Sequence, residues 1–358
     1  MKRPAIILSV IFLLLLLGYT LGFIRLRYNH YGLAELEVFY QKIGLTSTFD
    51  DGPYMVEEKG KWYRLNIVAG QAQRSPLTEA PPVVSRPPAV FEGVEHIAVV
   101  SDIHGQYELL VQLLQANGII DQAKNWAFAE GHLLILGDIF DRGHAVTECL
   151  WLIYELQQQA EERGGRVHYV LGNHELMVLK DDLAFTNPKY RKAAEILGIP
   201  YGELYAGNTQ MGQWLRTRPA MLKINDYLFV HGGISAAVAD QKWGIEEINR
   251  LYYEALHSGK EGEAYSLLLG PAGLLWYRGF LKDKGYGTTL KAILDQYGAT
   301  AMVCGHTTFS HIEERYEGTL YLVDAGMKYG RQGEMLRMDE DRIRAYDQNG
   351  DAVEIVRN

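Results

Sequence analysis

Cysteine is nearly absent from this 358-residue sequence, which contains only Cys149 and Cys304. Two cysteines so placed indicate neither a disulfide framework nor a cysteine-rich zinc site, and both lie in apolar patterns typical of core residues. An excess of positive charge is also absent, because 35 lysines and arginines stand against 44 aspartates and glutamates. A nucleic-acid partner would require a basic surface, so the net charge of −9 argues against one.

Sequence repeats are absent, and low-complexity tracts are absent beyond the amino-terminal apolar run. The composition is 47% hydrophobic and 22% charged, which is typical of a folded globular protein and excludes a largely disordered one. The length allows one large α/β core with extensions.

Residues 5–24 form one long apolar run, AIILSVIFLLLLLGYTLGFI, which is long enough to cross a bilayer as a helix. A cleaved signal peptide is the alternative, but no clear small-x-small cleavage site follows the run, which favours an uncleaved anchor. The basic residues Lys2 and Arg3 precede the run, and such an end usually stays in the cytosol. We therefore expect a membrane-anchored protein with a single N-terminal transmembrane helix and the rest of the chain on the extracytoplasmic side.

Three predicted regions follow one another along the chain. After the transmembrane helix over residues 5–24, residues 25–93 are expected to contain a juxtamembrane helix (25–44), a hairpin (52–70) and a proline-rich linker (75–88). Residues 94–358 are expected to form the globular domain.

Short apolar segments alternate with helical patterns at the start of that domain. Strands are predicted over residues 97–101, 133–136 and 166–171, with helices over 106–117 and 144–163 between them. This order implies parallel strands joined by right-handed crossovers. Later alternating stretches predict antiparallel strands that finish a second sheet, at residues 318–324, 334–338, 342–346 and 352–356. The predicted fold is mixed α/β, a two-sheet β-sandwich flanked by helices.

Polar residues follow the predicted strands, at the edge where open α/β sheets bind ligands. Asp102 and His104 lie two residues apart, so in an extended chain they point the same way and can hold one ion. Oxygen and nitrogen ligands without a thiolate suit Mn, Fe or Zn. Six such residues are too many for one ordinary site but suit two ions that share a carboxylate, about 3.5–4 Å apart, as in phosphoryl transfer. The six are Asp102, His104, Asp138, Asn173, His231 and His306.

The order of the motifs DIHG, GDIFDRG, GNHE, HGG and GHT resembles the calcineurin-like metallophosphoesterases. The complete GDxxDRG and GNHE forms are similar to the phosphoprotein phosphatase branch of that superfamily. The DGPY segment at residues 51–54 and the sequence Trp276-Tyr277-Arg278 resemble the bacterial Shewanella-like phosphatases within that branch. The five motifs from DIHG to GHT lie within the region 94–326 that the resemblance covers.

The resemblance implies a site with two divalent or transition metal ions, of Mn, Fe or Zn type. Asp102 and His104 would hold the first ion, and Asp138 would bridge the two. The second ion would be completed by Asn173, His231 and His306. A metal-bound hydroxide would then attack phosphorus in line.

The resemblance also implies the residues that act on the phosphoryl group. Arg142 and Arg278 would bind its oxygens, because a planar guanidinium matches them. His174 would protonate the leaving oxygen, oriented by Asp141. Many members of the superfamily carry GHxH at the last motif, whereas Thr308 stands at that final position here, which favours the phosphoprotein phosphatase branch.

Three functions remain open at this point. The leading hypothesis is a metal-dependent phosphomonoester hydrolase, a protein phosphatase for phosphoserine/threonine or phosphotyrosine, whose partner is a phosphorylated protein or a small phosphomonoester. A dinucleoside polyphosphate hydrolase shares nearly every motif and would need a nucleotide-stacking pocket. An inactive membrane-anchored scaffold is the third, but such a relic would have lost ligands that this chain retains.

Overall fold

The computed structural model describes residues 24–28, 34–38, 48–283, 285–339 and 342–358. The chain divides into two compact units, residues 1–48 and residues 49–358. In the first unit, strand β1 (Ile24–Tyr28) pairs antiparallel with strand β2 (Ala34–Val38). The structure thus has two strands where the sequence predicted a juxtamembrane helix over residues 25–44. Both segments alternate polar and apolar residues, which is the period of a strand.

The membrane prediction requires correction. Apart from Ile24, which begins β1, the predicted transmembrane helix over residues 5–24 lies outside the described residues. Across the part of the chain that is described, no helix combines the length and the apolar character needed to span a bilayer. The predictions of a transmembrane helix and of a membrane-anchored, extracytoplasmic location were based on the apolar run alone and are wrong by this finding.

A three-stranded antiparallel sheet begins the second unit. It consists of β3 (Asp51–Glu58), β4 (Lys61–Val68) and β5 (Gln71–Pro76). Alternate residues of β3 and β4, among them Tyr54 and Leu65, are buried in the same apolar cluster as the neighbouring helices. The sheet therefore packs against the helical layer and is more than the predicted hairpin.

The first large sheet has six strands and contains the predicted parallel core. Strands β7 (His96–Val100), β8 (His132–Leu136) and β9 (Arg166–Val170) are parallel neighbours. Helices α1 (Tyr107–Ala116) and α2 (Val146–Glu162) connect them. On the other side of β7, the sheet continues antiparallel with β15 (Glu334–Asp339), β16 (Arg342–Asp347) and β17 (Ala352–Val353).

The second large sheet has seven strands. Their spatial order is β18 (Val356–Arg357), β13 (Glu313–Arg315), β14 (Leu320–Leu322), β12 (Ala301–Cys304), β11 (Tyr227–Val230), β10 (Met221–Ile224) and β6 (Val90–Phe91). The late alternating stretches were all predicted for this sheet, but β15, β16 and β17 belong to the six-stranded one. Their alternation indicates strands without indicating which edge they join.

The two sheets face each other across an apolar layer, and helices cover their outer faces. In β8, Leu134 and Leu136 point into the layer between the sheets, while Leu133 and Ile135 point towards α1 and α2. Burial on both faces explains why this strand is continuously apolar. Helices α7 (Ile245–Ser258) and α9 (Tyr286–Tyr297) cover the seven-stranded sheet. The mixed α/β sandwich flanked by helices agrees with the prediction.

The remaining helices lie in the connections between these strands. They are α3 (Asn173–Leu179), α4 (Pro188–Leu197), α5 (Gln210–Arg216), α6 (Ala236–Ala239), α8 (Glu263–Leu269) and the 3-10 turns Tyr201–Tyr205, Gly279–Leu281 and Met327–Tyr329.

Candidate active site

The six predicted metal-binding side chains come together where the two sheets meet. Five strands contribute, because each of these residues follows β7, β8, β9, β11 or β12 closely along the chain. All six residues are buried, with at most 4% of any residue exposed: Asp102, His104, Asp138, Asn173, His231 and His306. The sandwich thus places in one buried cluster residues that are up to 204 positions apart in sequence.

Asp138 is the centre of this cluster. Its Oδ2 lies 3.2 Å from His231 Nε2 and 3.7 Å from His104 Nε2. Among the residues that the structure describes, two groups of side chains offer ligand atoms within 4.8 Å of one another, and Asp138 belongs to both. The first group is His104, Asp138 and His174, and the second is Asp138, His231 and His306. Asn173 Oδ1 lies 3.1 Å from His231 Nε2 and joins the second group.

Backbone carbonyls orient the imidazole rings. His104 Nδ1 donates to the Phe140 carbonyl at 2.6 Å, and His231 Nδ1 donates to the Leu136 carbonyl at 2.7 Å. A carbonyl can only accept, so the Nε2 atoms of both rings are turned towards Asp138. In His306 the opposite ring nitrogen is bonded to the backbone, because Nε2 donates to the Trp276 carbonyl at 3.2 Å.

The charges in the cluster suit a cation. Burial, followed by the charges of Asp324 and Asp138, raises the pKa of Asp102 well above its usual value, although His231 opposes the shift. Burial lowers the pKa values of His104 and His306 well below normal, which keeps both rings neutral. Carboxylates that repel each other beside neutral imidazole nitrogens form a donor set that a divalent ion would neutralise. The residues therefore fit a metal site.

The backbone at Asp102 and His104 is not the extended chain that the sequence analysis assumed. Asp102 and His104 have positive φ angles of 54° and 48°, so they lie in a turn after β7 and not in an extended strand. His104 Nε2 is nevertheless 4.0 Å from Asp102 Oδ1, because the turn brings both side chains to the same side. Gly172 allows the close approach of the GNHE motif, since a Cβ there would lie 2.3 Å from Asp138 Oδ1.

His174 and Asp141, which the resemblance implies as the acid and its orienting carboxylate, contact each other beside this cluster. His174 Nδ1 lies 2.5 Å from Asp141 Oδ2, and both side chains are buried. The opposite ring nitrogen, Nε2, lies 3.9 Å from Asp138 Oδ2 and so faces the cluster. The His174 imidazole therefore contacts Asp141 through one ring nitrogen and faces the Asp138 cluster with the other.

Both predicted arginines act on the cluster. Arg278 Nη2 donates to the His306 carbonyl at 3.1 Å, which places the guanidinium at the rim. After burial, which is the largest cause, the charge of Arg278 lowers the pKa of His306 and that of Arg142 lowers the pKa of His104. Positive charge from two arginines therefore acts on the site.

Sequence reasoning missed the role of Glu175, the last residue of the GNHE motif. This carboxylate is completely buried, and it accepts hydrogen bonds from the backbone N–H groups of Asp138 (2.8 Å), Ile139 (2.8 Å) and Gly172 (2.7 Å). It joins the loop after β8 to the start of α3. An acidic residue in the first turn of the helix that begins at Asn173 was the available signal.

Comparison with known proteins agrees with this geometry. The family described as calcineurin-like phosphoesterase matches residues 95–308, and the chain belongs to that family. Its members use a dinuclear metal centre, and the two His/Asp groups of this chain can hold metal ions. The predictions of a calcineurin-like metallophosphoesterase and of a phosphoprotein phosphatase-like hydrolase are confirmed.

Individual relatives define the branch. The chain is 30% identical to Shewanella-like protein phosphatase 1 of Plasmodium berghei, over 70% of this chain and 73% of the relative. It is 24% identical to Shewanella-like protein phosphatase 2 of Arabidopsis thaliana, over 61% and 67% of the two chains. Among solved structures, it is similar to a cold-active protein-tyrosine phosphatase of a psychrophilic Shewanella species, with 33% identity, a TM-score of 0.81 and coverage of 86% and 99%.

Proposed function

We propose that this protein hydrolyses phosphomonoesters on proteins, with phosphotyrosine as the preferred substrate. The observation that carries the proposal is the buried His174–Asp141 pair, whose free face is directed at the Asp138 cluster. Such an arrangement places a proton donor beside a metal site, as hydrolysis of an ester with a poor leaving group requires. The relatives named as protein phosphatases and the similar tyrosine phosphatase structure support the substrate class.

The proposed metal-binding residues divide between two positions that share Asp138. Asp102 and His104 would hold one ion, and the other would be held by Asn173, His231 and His306. Two divalent ions, when bound, would make a water molecule nucleophilic at neutral pH and offset the negative charge of the phosphoryl group. The nitrogen and oxygen donors suit Mn, Fe or Zn, of which we propose Mn for the first test.

The proposed phosphoryl-binding residues are Arg142 and Arg278. Their positive charges act on the cluster from two different loops, one after β8 and one before the turn Gly279–Leu281. A guanidinium presents paired N–H donors to phosphoryl oxygens, so the two side chains would orient the phosphorus atom for in-line attack.

His174 is the proposed general acid. Asp141 accepts a hydrogen bond from its Nδ1–H, so when the ring is protonated the second proton lies on Nε2, the nitrogen that faces the site. Transfer of that proton to the departing oxygen of serine or tyrosine would avoid the release of an alkoxide or phenolate. The carboxylate of Asp141 would also stabilise the protonated ring.

Turnover of a substrate panel tests the proposal. The full chain, supplied with Mn, is compared on matched phosphotyrosine, phosphoserine and phosphothreonine peptides and on diadenosine polyphosphates. We expect the highest kcat/KM on the phosphotyrosine peptide and little turnover of the dinucleotides. A higher kcat/KM on diadenosine polyphosphates would support the dinucleoside polyphosphate hydrolase instead, and inactivity on all substrates with metal bound would contradict both.

A further inference from the structure

Three residues between α3 and α4 contact the loop that contains Asp141 and Arg142. They are Phe185, Thr186 and Asn187, which we call the brace. The Phe185 carbonyl accepts a hydrogen bond from Arg142 N at 3.1 Å, and Asn187 Nδ2 donates to the Arg142 carbonyl at 2.8 Å. The backbone of Arg142 is therefore held from both sides by a segment more than 40 residues later in the sequence.

The backbone at this point needs such support. Asp141 and Arg142 have positive φ angles of 71° and 65°, a conformation that residues with side chains adopt rarely. Such residues keep this conformation only where the surroundings hold them in it. The hydrogen bonds from Phe185 and Asn187 are directed at the second of the two strained residues.

Thr186 acts on the other strained residue through its side chain. Its Oγ1 donates a hydrogen bond of 3.0 Å to Asp141 Oδ1, while Asp141 Oδ2 is occupied by His174 Nδ1. Both Thr186 and Asp141 are buried, so water does not readily replace the hydroxyl. With one oxygen held by Thr186, the carboxylate plane is fixed, and with it the angle at which His174 faces the site.

Phe185 lies between the two functional side chains. Its ring centroid is 5.3 Å from that of the His174 ring, in an edge-to-face arrangement. The guanidinium carbon of Arg142 lies 5.4 Å from the centroid of the same ring. The brace therefore contacts both the proposed acid and the proposed phosphoryl-binding arginine.

The DGPY segment supports the brace from outside. Lys189, two residues after Asn187, donates to the His144 carbonyl at 2.8 Å and lies 3.1 Å from Asp51 Oδ1. Asp51 is buried and accepts a hydrogen bond of 2.6 Å from Tyr54 through its other oxygen. The motif that the sequence analysis left without a role thus anchors the beginning of α4.

We propose that the brace positions the catalytic machinery, with Thr186 as the positioning residue for the Asp141–His174 pair and Asn187 as the positioning residue for Arg142. The inference rests on the proposed function and adds residues that the sequence motifs do not contain. The two residues have different expected effects. Thr186 affects proton donation, whereas Asn187 affects phosphoryl binding.

The variants T186V and T186S test the first assignment. Valine has nearly the shape of threonine but lacks the hydroxyl that donates to the Asp141 carboxylate. We therefore expect kcat/KM to fall roughly tenfold on a phosphoserine peptide. The loss on p-nitrophenyl phosphate should be less than about threefold, because its leaving group hardly needs a proton. T186S, which restores the hydroxyl, should return both values to within about threefold of wild type. If T186V does not fold, T186A removes the same hydroxyl without filling the space.

A matched control separates positioning from a general loss of stability. Thr209 is also buried, and its hydroxyl caps α5 by accepting from Gly212 N at 3.0 Å. T209V should lower the melting temperature without changing the ratio of kcat/KM between the two substrates. An equal loss on both substrates in T186V, or a T186S variant as defective as T186V, would overturn the assignment.

The variant N187D tests the second assignment. Asn187 Oδ1 caps α4 by accepting from Lys189 N at 2.9 Å, and aspartate keeps this acceptor while removing the donor to the Arg142 carbonyl. We expect KM to rise about three- to tenfold on all substrates, with no dependence on the leaving group. An unchanged KM in a folded N187D protein would overturn the assignment.

The variant H174N, measured in the same series, distinguishes this inference from the proposed function. If H174N shows no dependence on the leaving group, the assignment of the acid is wrong. If H174N shows that dependence and T186V does not, the acid is correct and the positioning role of Thr186 is wrong.

Discussion

Buried histidines lie near both ends of β8, and their environments differ. Beyond the carboxyl end, burial lowers the pKa of His231, but the charge of Asp138 and a hydrogen bond to it outweigh this and raise the pKa to about 10. At the amino end, burial and then Arg166 lower the pKa of His132 to about 4. The nearest polar partner of His132 is another imidazole, since His168 Nε2 lies 3.0 Å from its Nδ1.

The comparison shows that burial alone does not make a histidine functional. His132 and His168 pack edge to face against Phe91 and stay neutral, as core residues do. The histidines at the other end surround carboxylates that are themselves crowded together, so that end attracts positive charge. The two ends differ in their carboxylates and in the glycines, such as Gly172, that allow the backbone to lie close to those carboxylates. Mutation can change the carboxylates and the glycines separately.

The largest expected effect comes from removing the acid at the functional end. His174→Asn should lower kcat/KM by about 10²–10⁴-fold on a phosphoserine peptide, less on phosphotyrosine and least on p-nitrophenyl phosphate. The order follows from the leaving groups, because an alkoxide needs a proton most and a nitrophenolate least. Steady-state kinetics with the metal content measured in each preparation gives the answer. An equal loss on all three substrates with metals retained would mean that the proton comes from elsewhere.

A smaller effect is expected from closing the space beside Asp138. In Gly172→Ala the new Cβ would lie 2.3 Å from Asp138 Oδ1 and 2.5 Å from Asp138 N, so the motif must move. We expect the free energy of unfolding to fall by about 1–3 kcal/mol and kcat/KM to fall at least about tenfold. Gly207→Ala is the matched control, because a Cβ there meets nothing within 4 Å. Equal activity of the two variants would show that the close approach is not required.

The smallest expected effect concerns the other end of the sheet and appears only in acid. The folded pKa of His132 is about 4 against 6.5 for a free histidine, so the unfolded chain binds a proton first as the pH falls. The contribution of the neutral His132 ring to the free energy of unfolding has its full value above pH 6.5. This contribution is lost as the pH falls from 6.5 to 4. We expect the free energy of unfolding of wild type to fall in this interval because of His132. Chemical denaturation at several pH values measures it.

His132→Gln should reduce that pH dependence while keeping kcat/KM at neutral pH. His144→Gln, which replaces an exposed histidine, is the matched control. A His132→Gln protein with the wild-type slope would show that this histidine is not held neutral by the fold.

The sequence predicted the parallel strands and the residues at their ends because both signals are local. Four apolar residues followed by Gly137 and Asp138 indicate a buried strand and a close approach without any knowledge of the partner strands. The placement of β15 beside β7 depends on contacts more than 200 residues apart, and an alternating pattern does not contain that information. The apolar run over residues 5–24 indicated a membrane span by composition alone, and the structure corrected it.

The brace was missed for the same physical reason. Thr186 becomes meaningful only when folding brings it to Asp141, 45 residues earlier, and no spacing in the sequence marks that contact. The sequence contained more evidence for the role of Glu175, because this residue belongs to the GNHE motif and lies in the first turn of a helix.

The metal content of the purified full chain tests the central claim most directly, namely that the cluster around Asp138 holds two ions that share its carboxylate. Wild type, Asp138→Asn and His132→Gln are supplied with Mn in the same way, dialysed and examined by elemental analysis, with folding checked by circular dichroism. We predict about two ions per chain in wild type and in His132→Gln, and fewer than one in Asp138→Asn. Two ions in a folded Asp138→Asn protein, or none in wild type, would contradict the account.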